Sequence, residues 1–108
     1  MTDLEVSDIA TAAFEGGSNY WIEEVTVRDG NFHGAIYASG ALGAGAVLMI
    51  RTSDGIAPYA LTRGLLIDGV RHAACHRKVS IKAFLENYDA SDADLALQYA
   101  LFGRIVYG

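Results

Sequence analysis

The sequence predicts a single α+β domain over residues 1–108, with an N-terminal helix, a small antiparallel sheet and a helical C-terminal half. Three observations predict this fold class. A chain of 108 residues supports one hydrophobic core. Apolar residues follow a period of two in parts of the first half, and capping residues precede apolar stripes of helical spacing in the second half. The composition, 52% hydrophobic and 19% charged, favours a folded domain over disorder.

The first thirty residues are predicted to form one helix and one strand. Ser7 is the predicted N-cap of the helix, with Ile9 and Ala13 at helical spacing behind it. From Trp21 onward the period changes to two, which predicts a strand that ends in a turn at Asp29-Gly30.

The segment 31–50 carries no Asp, Glu, Lys or Arg. Its glycines and polar residues make it less hydrophobic than a transmembrane helix, so we interpret it as buried strand and loop and expect no membrane association. A second strand is predicted over 46–52 and a short extended piece over 59–61. The glycine-rich run 40–45 is expected to be a flexible connection whose backbone approaches another surface.

The second half is predicted to be helical. Thr62 caps a helix that runs to about Cys75, and Ser80 caps a helix over 81–88. Ser91 and Asp94 stand at capping-box spacing and predict the start of a last helix, which glycine at 103 stops. Residues 105–107 are expected to add a strand to the sheet.

Charge is segregated along the chain. Although the net charge is −5, residues 51–82 contain six basic residues against two acidic ones. An acidic protein is a poor general binder of nucleic acid, because non-specific affinity comes from neutralising phosphates. Two interpretations of the basic segment stay open: a local pocket for a small anion, or surface ion pairs with the acidic ends of the chain.

The sequence predicts no catalytic site and no cofactor. His72 and His76 lie one helical turn apart with Cys75 close by, but a metal site needs further ligands, and neighbouring basic residues disfavour a cation. We therefore expect no bound metal. One cysteine excludes an internal disulfide, and the acidic start of the chain does not resemble a secretion leader. Both features favour a reducing cytoplasm.

Five residues are predicted to bind a ligand. Tyr20 and Trp21 offer ring faces, Asn19 offers an amide that reads a base edge, and Arg63 begins a helix whose free N–H groups favour a phosphate, with Arg71 later in the same helix. The alternative is structural: the two aromatic residues anchor the core and Asn19 caps backbone.

Two dense aromatic and glycine signatures carry a resemblance to a known family. They are the run 15–21, Glu-Gly-Gly-Ser-Asn-Tyr-Trp, and the run 94–103, Asp-Leu-Ala-Leu-Gln-Tyr-Ala-Leu-Phe-Gly, which precedes an Ile-Val-Tyr-Gly end. Together with Leu61-Thr62, they resemble a family of small proteins encoded by tailed bacteriophages, in which an acid often stands in place of Arg104. The resemblance implies an origin in a phage or prophage and a location in the host bacterial cytoplasm.

That origin implies a function in the infected host. We expect a non-enzymatic counter-defence protein that binds and sequesters a small nucleotide immune signal. The alternatives are a protein–protein inhibitor of a host defence complex, similar to anti-CRISPR proteins, and a housekeeping structural phage protein. We also expect a homo-oligomer, because the uncharged segment carries large apolar side chains for an interface, namely Phe32, Ile36, Tyr37, Leu42 and Leu48.

Overall fold

The chain folds as the α+β domain that the sequence predicts, in a computed structural model that describes residues 1–56 and 58–108. An N-terminal helix, a small antiparallel sheet and a helical C-terminal half follow one another, as expected. The described elements are α1 (Asp3–Ala12), a π-helical turn (Ala13–Gly17), β1 (Ile22–Val27), α2 (Ala38–Gly43), β2 (Leu48–Thr52), β3 (Tyr59–Leu61), α3 (Arg63–Arg77), α4 (Ile81–Asn87) and α5 (Ala90–Phe102).

The sheet has the strand order β1-β2-β3, with both pairs antiparallel. Val27 pairs with Leu48, and Ile50 pairs with Tyr59. Along β2 the residues Leu48, Ile50 and Thr52 are buried while Arg51 is exposed, so one face of the sheet covers the core. The strands predicted over 46–52 and 59–61 are confirmed, the first beginning two residues later.

The helical half packs through a close contact between α3 and α5. Leu66, Val70 and Ala73 are buried as predicted. Gly69 permits the close approach, because a Cβ at this position would lie 2.2 Å from the carbonyl oxygen of Ala96. The buried residues of the helices and the sheet belong to one hydrophobic cluster.

The predicted helix starts are half right. Thr62 and Ser80 accept hydrogen bonds from the backbone of the following turn, which confirms them as N-caps. Ser7 is not an N-cap: Thr2 caps α1 in a capping box with Glu5, and the helix begins four residues before Ser7.

The predicted start of the last helix is also wrong. Asp89 is the N-cap of α5 and forms a capping box with Asp92, so Ser91 lies inside the helix. Asp94 is a buried residue of the helix interior rather than a capping residue. The capping residues were predicted two positions too late, because Asp89 and Asp92 have the same three-residue spacing as Ser91 and Asp94.

The segment 31–50 contains a helix that the sequence analysis missed. Residues expected to form a flexible connection make α2, and a Cβ on Gly43 would lie 2.5 Å from the carbonyl oxygen of Asp3, so the expected close backbone approach is present. Residues 105–107 form no strand within the described chain but cross the side of the domain as a tail. Over the ranges 1–56 and 58–108, no helix combines the length and apolar character needed to cross a membrane.

Candidate functional site

The two signature segments meet at Asp94, whose carboxylate is the centre of a buried hydrogen-bond network. Its Oδ1 accepts hydrogen bonds from the hydroxyl of Ser18 at 2.7 Å and from the indole N–H of Trp21 at 2.8 Å. Its Oδ2 accepts one from the hydroxyl of Tyr20 at 2.9 Å, and Nε2 of Gln98 lies 3.2 Å from both oxygens. Asp94 is only 9% exposed as a residue, so these donors replace the water that its carboxylate lost on folding.

Gln98 extends this network to the C-terminal tail, which we define as residues 104–108. Its Oε1 accepts hydrogen bonds from the backbone N–H groups of Val106 and Tyr107, both at 2.8 Å. Its Nε2 also lies 3.2 Å from the carbonyl oxygen of Tyr107. The side-chain amide therefore pairs with tail backbone as a neighbouring strand would, and it holds the tail against α5.

An aromatic cluster covers the other side of the tail. The ring of Tyr107 stacks on Trp21 with centroids 5.0 Å apart, and Phe102 packs against the same indole at 5.5 Å. The hydroxyl of Tyr107 donates to Oδ2 of Asp54 at 2.8 Å. The conspicuous segments at the two ends of the chain are thus the two halves of one structural unit.

Three ionisable groups of this unit have shifted pKa values. Burial, followed by the hydrogen bond to Asp94, raises the pKa of Tyr20. Burial, followed by the hydrogen bond to Asp54, raises the pKa of Tyr107. The hydroxyl of Thr52 and then the backbone N–H of Ile56 and the Tyr107 hydroxyl hold the pKa of Asp54 below its ordinary value. Asp54 is therefore ionised near neutral pH.

The three consecutive residues predicted to bind a ligand, Asn19, Tyr20 and Trp21, differ in exposure. Trp21 is 1% exposed beneath Tyr107 and Phe102, so its ring faces are not open to a ligand while the tail is seated. Tyr20 is 53% exposed but its hydroxyl is bound to Asp94, and Asn19 is exposed. Trp21 is a residue of the hydrophobic core, as the structural alternative expects.

The two predicted arginines are engaged with acidic residues. Arg63 contacts Asp3 at 2.6 Å and the carbonyl oxygen of Met1 at 3.2 Å, and Arg71 contacts Asp68 at 2.9 Å. Arg51 and Arg77 also pair with acids, so within residues 1–56 and 58–108 four of the eight basic residues form ion pairs. This supports surface ion pairs as the explanation of the basic segment. No preformed phosphate pocket is needed to account for it.

The histidine pair of α3 packs on Tyr99 of α5. The His72 ring stacks on Tyr99 at 5.6 Å, and Nδ1 of His76 lies 3.4 Å from the Tyr99 hydroxyl. Cys75 is exposed rather than a core residue. In the described part of the chain, no three His, Cys, Asp or Glu side chains gather to hold a metal ion. These residues give α3 and α5 a second contact.

Two surface grooves of the described residues border the signature segments and can receive a ligand or partner. The first, which we call the Tyr37 groove, has a volume of about 360 Å³ and is lined by Thr11, Phe14, Glu15, Val25, Tyr37 and Ser39. Ile36 and Tyr37 beside it are 84% and 74% exposed. Phe14 and Glu15 belong to the π-helical turn, so this turn forms one wall of the groove.

The second, which we call the tail groove, has a volume of about 430 Å³ and lies between the tail and the loop after β2. Its described lining includes Asp54, Tyr59, Phe102, Arg104 and Tyr107. Tyr59 meets Phe102 edge to face at 4.9 Å, so the floor of the groove is aromatic.

Asp94, Gln98 and Tyr107 are site residues that were not predicted from the sequence, although a signal for the first two was present. Asp94 and Gln98 stand four residues apart and interrupt an apolar run of α5, so they share one helix face that points into the core. Buried polar side chains need partners, and the signature segment around Trp21 supplies them. Nothing in the local sequence indicates which distant segment provides these donors.

Comparison with known proteins identified no relative of this chain. No family model matches this chain, and no curated protein and no solved structure matches it either.

Proposed function

We propose that this protein is a non-enzymatic binding protein that acts by contact with a partner protein through the Tyr37 groove. The observation that carries the proposal is the exposure of two adjacent large apolar residues, Ile36 at 84% and Tyr37 at 74%, beside the groove. Exposed apolar area of this kind favours a surface that another protein covers, and tyrosine is a frequent anchor of such interfaces.

The wall of the groove is preorganised for binding. Phe14 and Glu15 lie in the π-helical turn, where the N–H of Ser18 bonds to the carbonyl of Ala13 at 2.8 Å. The hydroxyl of Ser18 is held by Asp94, and a Cβ on Gly17 would lie 1.8 Å from the carbonyl oxygen of Ala90. Because the turn is fixed on α5 in this way, a partner does not have to order it, which lowers the entropy cost of binding.

Charge indicates the chemistry of the partner. The described residues that line the groove include Glu15 and no basic side chain, and the whole chain has a net charge of −5. A partner with an apolar protrusion and a basic rim is complementary to this surface. The resemblance to phage proteins supports a host defence complex as the source of such a partner, with the protein as its inhibitor.

Sequestration of a small nucleotide through Arg63 and Arg71 has less support. Both arginines already contact acidic residues, and the indole of Trp21 is covered by the tail. A homo-oligomer stays a prediction as well. Leu42 and Leu48, two of the residues expected at its interface, are fully buried in the core, so only exposed members of the uncharged segment are left for it.

The proposal is tested by affinity capture from infected host bacteria, with the double variant Ile36→Ser/Tyr37→Ser against the wild type. The matched control is Leu4→Ser, which removes an apolar side chain of 69% exposure on α1. We expect to recover the same host protein with the wild type and with Leu4→Ser. With the double variant we expect its recovery to fall about tenfold or more, since truncation of an interface anchor costs about 2 kcal/mol or more.

Two outcomes contradict the proposal. One is equal recovery of the host protein by the double variant and the wild type. The other is a wild type that sediments as a dimer and a double variant that sediments as an 11.5 kDa monomer, because the residues would then join two copies of this chain.

A further inference from the structure

The tail groove offers one open aromatic face. The indole of Trp21 covers one face of the Tyr107 ring, with an interplanar angle of 5°. Tyr107 also lines the groove and is only partly buried, so the opposite face of its ring is the one directed away from the core. A planar ligand that stacks there would continue a pair of rings already fixed by Gln98 and Asp54.

An acceptor for an N–H group stands beside that face. Oδ2 of Asp54 accepts the hydroxyl of Tyr107 at 2.8 Å, while Oδ1 accepts from Thr52 and from the backbone N–H of Ile56. A carboxylate oxygen has room for a second donor, so Oδ2 retains acceptor capacity toward the groove. Because these hydrogen bonds lower the pKa of Asp54, the group is an anion at neutral pH and does not donate.

A cation completes the groove. Arg104 is exposed, lines the same groove, and forms no ion pair with any residue of the ranges 1–56 and 58–108. Arg104 and Asp54 thus face one groove without neutralising each other. The combination of an aromatic face, an acceptor and an unpaired guanidinium suits a ligand with a planar ring, an N–H donor and an anionic group.

We propose that the tail groove binds a nucleotide whose base carries an amino group, with the base on Tyr107, the amino group at Asp54 and the phosphate at Arg104. A nucleotide is also the ligand expected from the sequence, but the residues proposed here, Asp54, Arg104 and Tyr107, are different from the five predicted there. This site shares no lining residue with the Tyr37 groove and does not depend on it.

The test is isothermal titration of the full chain with adenosine 5′-monophosphate. We expect saturable binding that Arg104→Ala weakens about tenfold or more, as loss of a charge-assisted contact does. The matched control is Arg28→Ala, because Arg28 is also exposed, has no ion pair in the described part of the chain and lies outside the groove at the end of β1. This control should bind like the wild type.

A second comparison tests the role of Asp54. Purine riboside 5′-monophosphate lacks the amino group, and we expect the wild type to bind it more weakly than adenosine 5′-monophosphate. In Asp54→Asn this difference should shrink, since the amide that replaces the carboxylate no longer presents two acceptor oxygens. The proposal is overturned if adenosine 5′-monophosphate gives no saturable binding, if Arg104→Ala binds as tightly as Arg28→Ala, or if the wild type does not distinguish the two nucleotides.

Discussion

The phenol ring of Tyr107 lies parallel to the indole of Trp21, with centroids 5.0 Å apart. These residues are 86 positions apart in sequence; Trp21 ends the first signature segment, and Tyr107 lies in the Ile-Val-Tyr-Gly end that follows the second. Gln98 binds the backbone of Tyr107 and Asp94 binds the indole N–H, so hydrogen bonds hold both partners of this contact. The signatures therefore encode a polar and aromatic unit that fixes the tail and the π-helical turn, and both grooves are built on it.

The carboxylate of Asp94 is expected to be essential for stability. Asp94→Ala leaves the Ser18 hydroxyl and the Trp21 N–H buried without an acceptor, and each unsatisfied group costs about 1 to 3 kcal/mol. We expect a loss of about 3 kcal/mol or more in the free energy of unfolding, measured by urea denaturation. Asp68→Ala, at an exposed ion pair with Arg71, should cost less than about 1 kcal/mol. Similar losses in the two variants would contradict the role assigned to the network.

Gln98 is expected to control whether the tail covers Trp21. Gln98→Leu keeps the side-chain volume but removes the hydrogen bonds to Val106 and Tyr107, so the tail should detach and expose the indole to water. The emission maximum of Trp21, the single tryptophan, should move to longer wavelength. Asn87→Leu, which alters an exposed amide on α4, is the control and should leave the emission unchanged. An unshifted spectrum in Gln98→Leu would show that stacking alone holds the tail.

The contact between α3 and α5 predicts opposite effects for two glycines of the same helix. Gly69→Ala places a methyl group 2.2 Å from the carbonyl oxygen of Ala96, so the helices must separate and stability should fall by about 2 kcal/mol or more. A Cβ on Gly64 would lie 4.0 Å from the hydroxyl oxygen of Thr62, an ordinary contact, and Gly64→Ala should raise stability by about 0.5 kcal/mol through helix propensity. Thermal unfolding of both variants checks the pair. Equal shifts in the melting temperatures of the two variants would contradict the close packing of α3 on α5.

Acid should weaken the link between the tail and the loop after β2. The pKa of Asp54 in the folded state is lowered from 3.8, first by the Thr52 hydroxyl and then by Ile56 N–H and Tyr107. A carboxyl with a lowered folded pKa contributes stability above its unfolded pKa, and this contribution is lost as pH falls through the folded value. Stability of Asp54→Asn should therefore depend less steeply on pH below about 4 than that of the wild type. Unfolding at a series of pH values tests this, and parallel curves would refute it.

Local patterns were sufficient for much of the fold. The caps at Thr62 and Ser80, the buried stripe of α3 and the strands over 48–52 and 59–61 follow from capping chemistry and periodicity, which act over a few residues. Helix α2 could not be predicted from local patterns, because its glycines have low helix propensity. Tertiary packing overrides that propensity in the folded protein. At the last helix two overlapping capping patterns competed, and the sequence offered no means to choose between them.

The candidate sites depended on contacts that the sequence does not display. The exposure of Ile36 and Tyr37, and the burial of Trp21, are decided by which distant segments cover them. Arg63 illustrates the same limit: its place at the first turn of α3 was predicted, but its contact with Asp3 requires α1 to pack nearby. From composition alone, the basic segment 51–82 could form either surface ion pairs or a pocket for a small anion.

Covalent capture at position 37 is the most direct test of the proposed protein contact. A photoreactive benzoylphenylalanine replaces Tyr37 in one variant and Leu4 in a matched control, since both positions are exposed and apolar. After illumination of infected host cells, we predict a discrete adduct between a host protein and the position 37 variant that the position 4 variant does not form. A position 37 variant that forms no adduct, or that joins only a second copy of itself, would contradict the proposal.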